Sequence, residues 1–198
     1  MIEKVKIISL SGHIQSGKSE IAKIMSKQFG YTSCSLAGLT KSIVSQVYGV
    51  SLEELEDRKY KEKWRPLIIQ YAEKIKEVDL YAHCKYVLGF IKKSLETTSS
   101  RRYLISDLRY PYEFLYFKKL DRCSQHSCET EYEGLKNYQV EYKSLFIDSD
   151  LADKSSLALS ESYYESYLKP NSDGLILNGV EQRYSRGNDL INQLVKFV

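Results

Sequence analysis

The sequence of 198 residues predicts one α/β domain, in which helices cover both faces of a central, mostly parallel sheet of five strands. Short β-branched apolar runs alternate with longer segments in which apolar residues recur every three or four positions. This is the pattern of strands joined by crossover helices. The length suffices for one well-buried domain and is short for two, so we expect residues 1–198 to fold as a single unit.

The first half of the chain predicts two strands and several helices. The run from Val5 to Leu10 (VKIISL) is apolar and β-branched, which predicts a buried central strand. From Lys18 to Phe29 the apolar residues keep helical spacing, and Gly30 is the expected stop signal. Further elements are predicted as a strand from Tyr31 to Leu36, a helix from Lys41 to Tyr48 with Ile43, Val44 and Val47 inward, a charged helical surface from Glu53 to Lys63, and helices from Trp64 to Ile75 and Leu80 to Leu95.

The second half predicts the remaining strands around one polar segment. Arg102 to Asp107 (RYLISD) is a strong strand candidate, and Pro111 stands where a helix can begin. Residues 121–139 are polar and aperiodic, which indicates an insertion or loop. The other expectations are an inner face of Phe114, Leu115, Phe117 and Leu120 on the helix after Pro111, strands from Val140 to Ile147 and Gly174 to Leu177, and a closing helix from Leu190 to Val198.

Charge and hydropathy exclude several classes of partner. The formal net charge of +3 is mild and lacks the dense basic stripe of a nucleic-acid-binding protein. No stretch is apolar over the length that a membrane span needs, and the N-terminal apolar run is too short for a signal peptide. We therefore expect a cytoplasmic protein without nucleic-acid or membrane partners.

Four scattered cysteines are expected to be thiols rather than disulfides, because no secretory signal accompanies them. Cys34 and Cys84 belong to separate elements, whereas Cys123 and Cys128 flank His126. A closed zinc site needs four ligands at suitable spacing. A solvated loop is therefore favoured over zinc for the 123–128 segment.

The residues after the first predicted strand match the phosphate-binding motif G-x-x-x-x-G-K-[ST] at every fixed position. The motif consists of Gly12, His13, Ile14, Gln15, Ser16, Gly17, Lys18 and Ser19. Its glycines allow successive amides to point toward one anion, and the N-terminus of the following helix adds positive potential there. Lys18 is expected to reach the β- and γ-phosphates of ATP, and Ser19 to offer its hydroxyl to Mg²⁺. The predicted fold class is thus that of the P-loop NTPases.

Asp107 and Arg109 follow another predicted strand and are further candidate site residues. Ligands of an open α/β sheet bind beyond the C-terminal ends of the strands, the edge that also carries the phosphate loop. A carboxylate there can hold Mg²⁺ or assist an acceptor oxygen, and an arginine can clamp a phosphate. A turn-capping aspartate and a surface arginine remain the structural alternative. With the phosphate loop present, we favour catalytic roles for Lys18, Asp107 and Arg109.

Five segments in order, GHIQSGKS, SLAGLTKSIV, YKEKWR, LISDLR and ILNGVEQR, resemble animal-type phosphomevalonate kinase. That family is a branch of the nucleoside-monophosphate-kinase-like P-loop proteins and is similar to phage deoxynucleoside monophosphate kinases. The resemblance spans nearly the whole chain except roughly residues 121–139. It implies a three-layer fold and transfer of the γ-phosphoryl group of ATP to the phosphate of 5-phosphomevalonate.

The resemblance also implies roles for individual residues. Lys61, Arg65 and Arg109 would bind the acceptor phosphate, and Lys76 and Lys85 would be basic residues facing the site. Gly179 and Val180 would lie against the adenine. By the same resemblance, a helical acceptor-binding region covers about residues 40–96 and a reduced lid about residues 148–160.

Two alternatives to a phosphomevalonate kinase stay open at this level. A deoxynucleoside monophosphate kinase would need aromatic residues that stack on a base, for which Trp64, Tyr71 and Tyr81 are candidates, although their helical positions favour core packing. A kinase fold with weakened or lost catalysis, used for binding or assembly with a protein partner, is the other. The stretch 149–154 motivates it, because two acids and one lysine stand where the family has lid arginines.

Overall fold

The computed structural model describes residues 2–122, 134–150, 152, 162–178 and 188–198. It contains five strands: β1 (Glu3–Ser11), β2 (Thr32–Cys34), β3 (Arg102–Ile105), β4 (Tyr138–Asp148) and β5 (Gly174–Leu177). They form one sheet in the order β2–β3–β1–β4–β5, and every pairing between them is parallel. The predicted five-stranded sheet of a P-loop fold is therefore confirmed, with β1 at its centre.

Helices connect the strands and end at recognisable residues. They are α1 (Lys18–Phe29), α2 (Gly38–Tyr48), α3 (Leu52–Glu56), α4 (Arg58–Val78), α5 (Ala82–Thr97), α6 (Pro111–Lys118), a 3₁₀ turn (Lys119–Arg122), a π-helix (Tyr164–Leu168), α7 (Lys169–Asn171) and α8 (Asn188–Val195). Gly30 ends α1 in the left-handed region with a φ of 69°. In the part of the chain that the structure describes, no helix combines the length and apolar composition needed to cross a membrane.

Alternating residues of the strands send side chains into two separate hydrophobic cores, one on each face of the sheet. On β1, Ile7 joins the core formed with α5, α6 and the π-helix, whereas Ile8 joins the core formed with α1 and α8. On β4, Phe146 and Leu145 divide between the two cores in the same way. The result is the three-layer arrangement that the alternation of strands and helices predicts.

Helices α2, α3 and α4 have a small core of their own beside the sheet. Val44, Val50 and Leu55 are buried there, and the apolar face of α4 packs against them. Helix α4 continues through Pro66 and begins at Arg58 rather than at the predicted Trp64. The prediction that Val47 points inward is wrong, because its side chain is 60% exposed.

Helix α6 begins at Pro111 as predicted, but its inner face differs. Phe114 and Phe117 are buried, whereas Leu115 is 50% exposed, so the prediction for Leu115 is wrong. Tyr116 and Glu113 are buried instead, because the short helix turns these two positions toward the sheet. The buried Glu113 carboxylate accepts the backbone amides of Arg109 and Tyr110.

Two predicted boundaries shift at the ends of strands. Strand β3 ends at Ile105, which leaves Asp107 and Arg109 in the connection to α6. Strand β4 begins at Tyr138, so the last two residues of the predicted 121–139 insertion belong to the sheet. Residues 123–133 lie outside the described residues. So does the predicted lid at 148–160, except for residues 148–150 and 152.

Candidate active site

The phosphate loop joins β1 to α1 through a backbone that glycine makes possible. Gly12 has a φ of 139°, and a Cβ atom there would lie 2.3 Å from the carbonyl oxygen of Ile147 on β4. Gly17 precedes α1 with a φ of 92°, and Gln15 adopts a φ of 64° between the two glycines. These residues curl the chain tightly at the C-terminal edge of the sheet. That is the backbone shape that turns successive amides toward one anion.

The Lys18 side chain folds back from the first turn of α1 onto the phosphate loop. Its Nζ atom donates to the carbonyl oxygens of Gly12 at 2.5 Å and His13 at 2.6 Å. The hydroxyl of Ser16 lies 3.4 Å from the same atom. The ammonium is thus already held against the loop, where the phosphate tail of a nucleotide would meet it.

Asn178 braces the phosphate loop from the end of β5. Its side-chain amide donates to the carbonyl oxygen of Ser16 at 2.8 Å, and its backbone amide donates to the backbone carbonyl oxygen of Asp148 at the same distance. The residue is 3% exposed, so both hydrogen bonds are shielded from water. Asn178 therefore connects the loop to the ends of β4 and β5.

His13 points away from the loop and into the protein. Its ring packs edge-on against Tyr164, with centroids 5.1 Å apart, and against Phe146 at 6.3 Å. Its Nε2 atom lies 3.3 Å from a carboxylate oxygen of Glu165, whose other oxygen lies 3.1 Å from Lys169 Nζ. The loop residue His13 thereby connects the phosphate loop to the π-helix.

Asp107 fixes the turn between β2 and α2. Its carboxylate accepts the backbone amides of Leu36 at 2.7 Å and Ala37 at 3.0 Å, and the hydroxyl of Ser35 at 2.7 Å. Three of the roughly four lone-pair directions of the carboxylate are therefore in use. This geometry makes Asp107 a structural bridge between β2 and β3, and its metal-binding and catalytic roles stay predictions.

The turn that carries Arg109 is held by the buried carboxylate of Glu113. The Oε2 atom of Glu113 accepts the backbone amides of Arg109 at 2.7 Å and Tyr110 at 3.0 Å. Burial raises the pKa of Glu113 to about 7, although the two amides and the Arg109 charge lower it in part. Desolvation would lower the pKa of Arg109, but Asp107, Tyr164 and Glu113 raise it above its ordinary value, so the guanidinium stays charged.

Lys76 of α4 lies beside the same turn. Its Nζ atom is 4.6 Å from the ring centroid of Tyr110 and 3.5 Å from the Tyr110 hydroxyl oxygen. Glu73, one turn earlier on α4, pairs with this ammonium at 2.6 Å. Tyr112 stacks on Tyr110 with centroids 5.3 Å apart. A cation of α4 thus lies beside Tyr110, the residue that follows Arg109.

The sequence profile of the phosphomevalonate kinase family matches residues 10–123, more than half of the chain. The chain belongs to the phosphomevalonate kinase family. The matched residues include the phosphate loop, α4 and the Asp107–Glu113 connection. As a member of this family, the protein is a kinase.

The chain is also similar to several solved structures. One is the protein TT1252 of Thermus thermophilus, at 16% identity over 99% of this chain and 100% of the other, with a TM-score of 0.48. A protein from Chloroflexus aurantiacus gives 10% identity over 99% and 96%, with a TM-score of 0.49. Dephospho-CoA kinase from Campylobacter jejuni gives 15% identity over 98% and 95%, with a TM-score of 0.44. A search of curated protein sequences gave no match.

The remaining residues implied by the resemblance are not all brought to one point in this kinase. Arg65 and Lys76 share one face of α4, but Arg65 lies roughly 16 Å along the helix axis from Lys76. The described contact of Arg65 is with Glu62 at 3.7 Å, and Lys85 pairs with Asp79 at 2.8 Å. The side chain of Lys61, together with Gly179 and Val180, lies outside the described residues.

Within the described part of the kinase, no group of three or more His, Cys, Asp or Glu side chains could hold a metal ion. Cys34 is a free thiol, and burial raises its pKa. The Cys123, His126 and Cys128 segment lies outside the described residues. Ser19, the second residue of α1, is exposed next to Lys18.

Two residues of the site were not singled out from the sequence. Asn178 is part of the segment ILNGVEQR, in which the resemblance implies roles only for Gly179 and Val180. Glu113 stands two residues after Pro111, and this spacing of proline and glutamate is typical of a helix start. This pattern is typical of a helix cap, whereas the burial of Glu113 depends on the tertiary packing of α6.

Proposed function

We propose that this kinase transfers the γ-phosphoryl group of ATP to the phosphate of a small phosphorylated acceptor, with 5-phosphomevalonate as that acceptor. The observation that carries the proposal is the phosphate loop, whose Gly12, Gln15 and Gly17 dihedrals curl the amides at the start of α1. Membership of the phosphomevalonate kinase family supports the choice of acceptor.

The donor side of the proposed site is the loop with Lys18. The loop amides and the N-terminus of α1 bind the β- and γ-phosphates, and the Lys18 ammonium leaves the carbonyls of Gly12 and His13 to join them. The glycines allow the loop amides to turn toward one anion, and a side chain at Gly12 would collide with Ile147. Gly179 and Val180 are proposed to hold the adenine.

Mg²⁺ is expected to accompany ATP in a kinase of this family. The exposed Ser19 hydroxyl next to Lys18 is the proposed protein ligand, and phosphate oxygens and water would complete the shell of such a hard cation. When bound, the ion neutralises charge that develops on the phosphate oxygens. Asp107 is the second candidate, acting through water because its carboxylate already accepts three hydrogen bonds.

The acceptor side is proposed to centre on Arg109, with Lys76 beside it. Arg109 binds the acceptor phosphate, since a guanidinium matches two phosphate oxygens at once. Lys76 adds positive charge next to Tyr110. In-line placement of donor and acceptor phosphates, and neutralisation of their charge, is most of what such a transfer requires. Lys61, Arg65 and Lys85 are proposed to bind the acceptor from farther along α4 and α5.

A nucleotide acceptor receives less support from the aromatic residues. Trp64 and Tyr71 both pack against Tyr48, with centroids 5.8 Å and 6.5 Å from its ring, within the α2–α4 layer. Tyr81 stacks on Tyr116 at 5.4 Å. All three rings therefore already have protein partners, which favours packing over stacking on a base.

A panel assay tests the proposal. ADP release is measured with ATP, Mg²⁺ and one acceptor at a time: 5-phosphomevalonate, each deoxynucleoside monophosphate, or none. We expect turnover with 5-phosphomevalonate. Turnover with a deoxynucleotide alone would replace the acceptor, and silence with all acceptors would contradict both enzyme functions. Calorimetric titration with ATP and Mg²⁺ would then show whether the loop binds nucleotide without catalysis.

A further inference from the structure

One buried carboxylate supports the backbone of the acceptor side. Glu113 is only 5% exposed, and a single oxygen of its carboxylate accepts the amides of both Arg109 and Tyr110. These amides precede α6 and belong to the turn that presents Arg109 and the Lys76-facing ring of Tyr110. The position of this turn therefore depends on Glu113.

We propose that Glu113 is a positioning residue that fixes the backbone of Arg109 and so keeps the guanidinium directed at the acceptor phosphate. The inference rests on the proposed function of Arg109 and adds a residue that does not itself touch the substrate. Small displacements of a phosphate-binding group are costly in phosphoryl transfer, because in-line geometry supplies much of the rate.

Capping of α6 alone does not require such an arrangement. Ser51 caps α3 with an exposed hydroxyl that accepts one amide, that of Glu54, at 3.0 Å. Glu113 instead takes a carboxylate out of water, and burial raises its pKa to about 7. Beyond capping the helix, the buried carboxylate fixes two consecutive backbone amides, those of Arg109 and Tyr110, next to the candidate site.

The test compares Michaelis constants of the full-length protein and two variants, Glu113→Gln and Glu113→Ala, with ATP and 5-phosphomevalonate at pH 8. Gln keeps an oxygen that can accept both amides, whereas Ala leaves the amides of Arg109 and Tyr110 without it. We expect Ala to raise the acceptor KM about tenfold and Gln about threefold or less, with the ATP KM within about twofold for both. An unchanged acceptor KM for Ala, or an equal rise in both constants, would overturn the proposal.

Ser51→Ala is the matched control, because it also removes the side chain that caps a helix. It should lower the urea midpoint of unfolding without changing the ratio of the two KM values. If Glu113→Ala does not fold, Glu113→Asp takes its place. Its shorter side chain withdraws the carboxylate, and the same rise in acceptor KM with an unchanged ATP KM is expected.

A wild-type protein that does not turn over 5-phosphomevalonate would contradict the proposed acceptor but still allow the positioning role to be tested. Inorganic phosphate is then titrated while the NMR signal of the Arg109 Nε–H group is followed. The signal should shift at lower phosphate concentration in the wild type and Glu113→Gln than in Glu113→Asp or Glu113→Ala. One common midpoint for all four proteins would overturn the inference.

Discussion

The proposed donor and acceptor sides of the candidate site are built from different kinds of contact. On the donor side, the phosphate loop gets its shape from glycine dihedrals within eight consecutive residues, and Asn178 braces one carbonyl. On the acceptor side, Arg109 depends on a carboxylate of α6, and Lys76 reaches the same turn from a separate helix. Apart from the Asn178 brace, the donor side is therefore a local structure, whereas on the acceptor side the burial of Glu113 and the approach of Lys76 arise only once distant elements have packed.

The largest expected effect is on the donor side. Lys18→Ala should lower kcat/KM by about a thousandfold, because a cation that neutralises the transferring phosphoryl group is lost. Steady-state kinetics and calorimetric ATP titration measure the effect, and urea unfolding should show little loss of stability. Lys23→Ala, which removes an exposed lysine of the same helix, is the control. Full activity of the Lys18 variant would mean that the loop does not bind the donor.

The next prediction concerns the loop backbone itself. Gly12→Ala should lower the free energy of unfolding by about 3 kcal/mol, because the new Cβ collides with the Ile147 carbonyl and φ is unfavourable for alanine. Gly30→Ala is the matched control, with a positive φ of 69° but no atom within 4 Å of the new Cβ. It should cost only about 1 kcal/mol. Equal losses of unfolding free energy in the two variants would show that the closeness of Ile147 adds nothing to the cost of a side chain at position 12.

On the acceptor side the expected effect is smaller and selective. Arg109→Ala should raise the acceptor KM by about tenfold to a hundredfold while the ATP KM stays within about twofold. Initial rates with each substrate varied in turn measure both constants. Arg102→Ala is the control at the opposite end of β3, where the guanidinium donates to the Phe29 carbonyl. An equal loss of ATP affinity in the Arg109 variant would assign this residue to the nucleotide.

The same difference between the two sides explains what could be read from the sequence. The phosphate loop, α1 and its end at Gly30 follow from a motif and an apolar period within 19 residues, from Gly12 to Gly30, and α1 was predicted with its observed bounds. The strand at Gly174–Leu177 was likewise predicted with its observed bounds. Local signals decide these elements, because their backbone geometry is set by neighbouring residues.

The residues that were predicted wrongly or missed depend on packing between elements. Val47 and Leu115 fit an apolar period, yet among the described residues they are 60% and 50% exposed. Glu113 has the sequence signal of an exposed helix cap, and only the turn of α6 toward the sheet buries it. Asn178 reaches the Ser16 carbonyl across 162 positions of sequence, and nothing in the chain near Asn178 indicates that contact.

The smallest effect tests the burial of Glu113 through the pH dependence of stability. Its folded-state pKa is raised to about 7 from 4.5, so the folded protein binds this proton more tightly than the unfolded chain does. The resulting stabilisation is fully present below pH 4.5 and is lost as the pH rises through 7. The stability of the wild type relative to Glu113→Gln should therefore fall by about 1 kcal/mol between pH 6 and pH 8.

Urea unfolding of both proteins at the two pH values measures this difference, and Glu20→Gln controls for the loss of one carboxyl at the surface of α1. A difference that does not change with pH would mean that the Glu113 carboxylate is hydrated in the folded protein. The turn carrying Arg109 would then be held by an ordinary exposed cap, and the contrast between a local donor side and a packed acceptor side would lose its clearest example. A fall of the expected size would instead show that the acceptor side retains a costly buried charge, which a cap alone does not require.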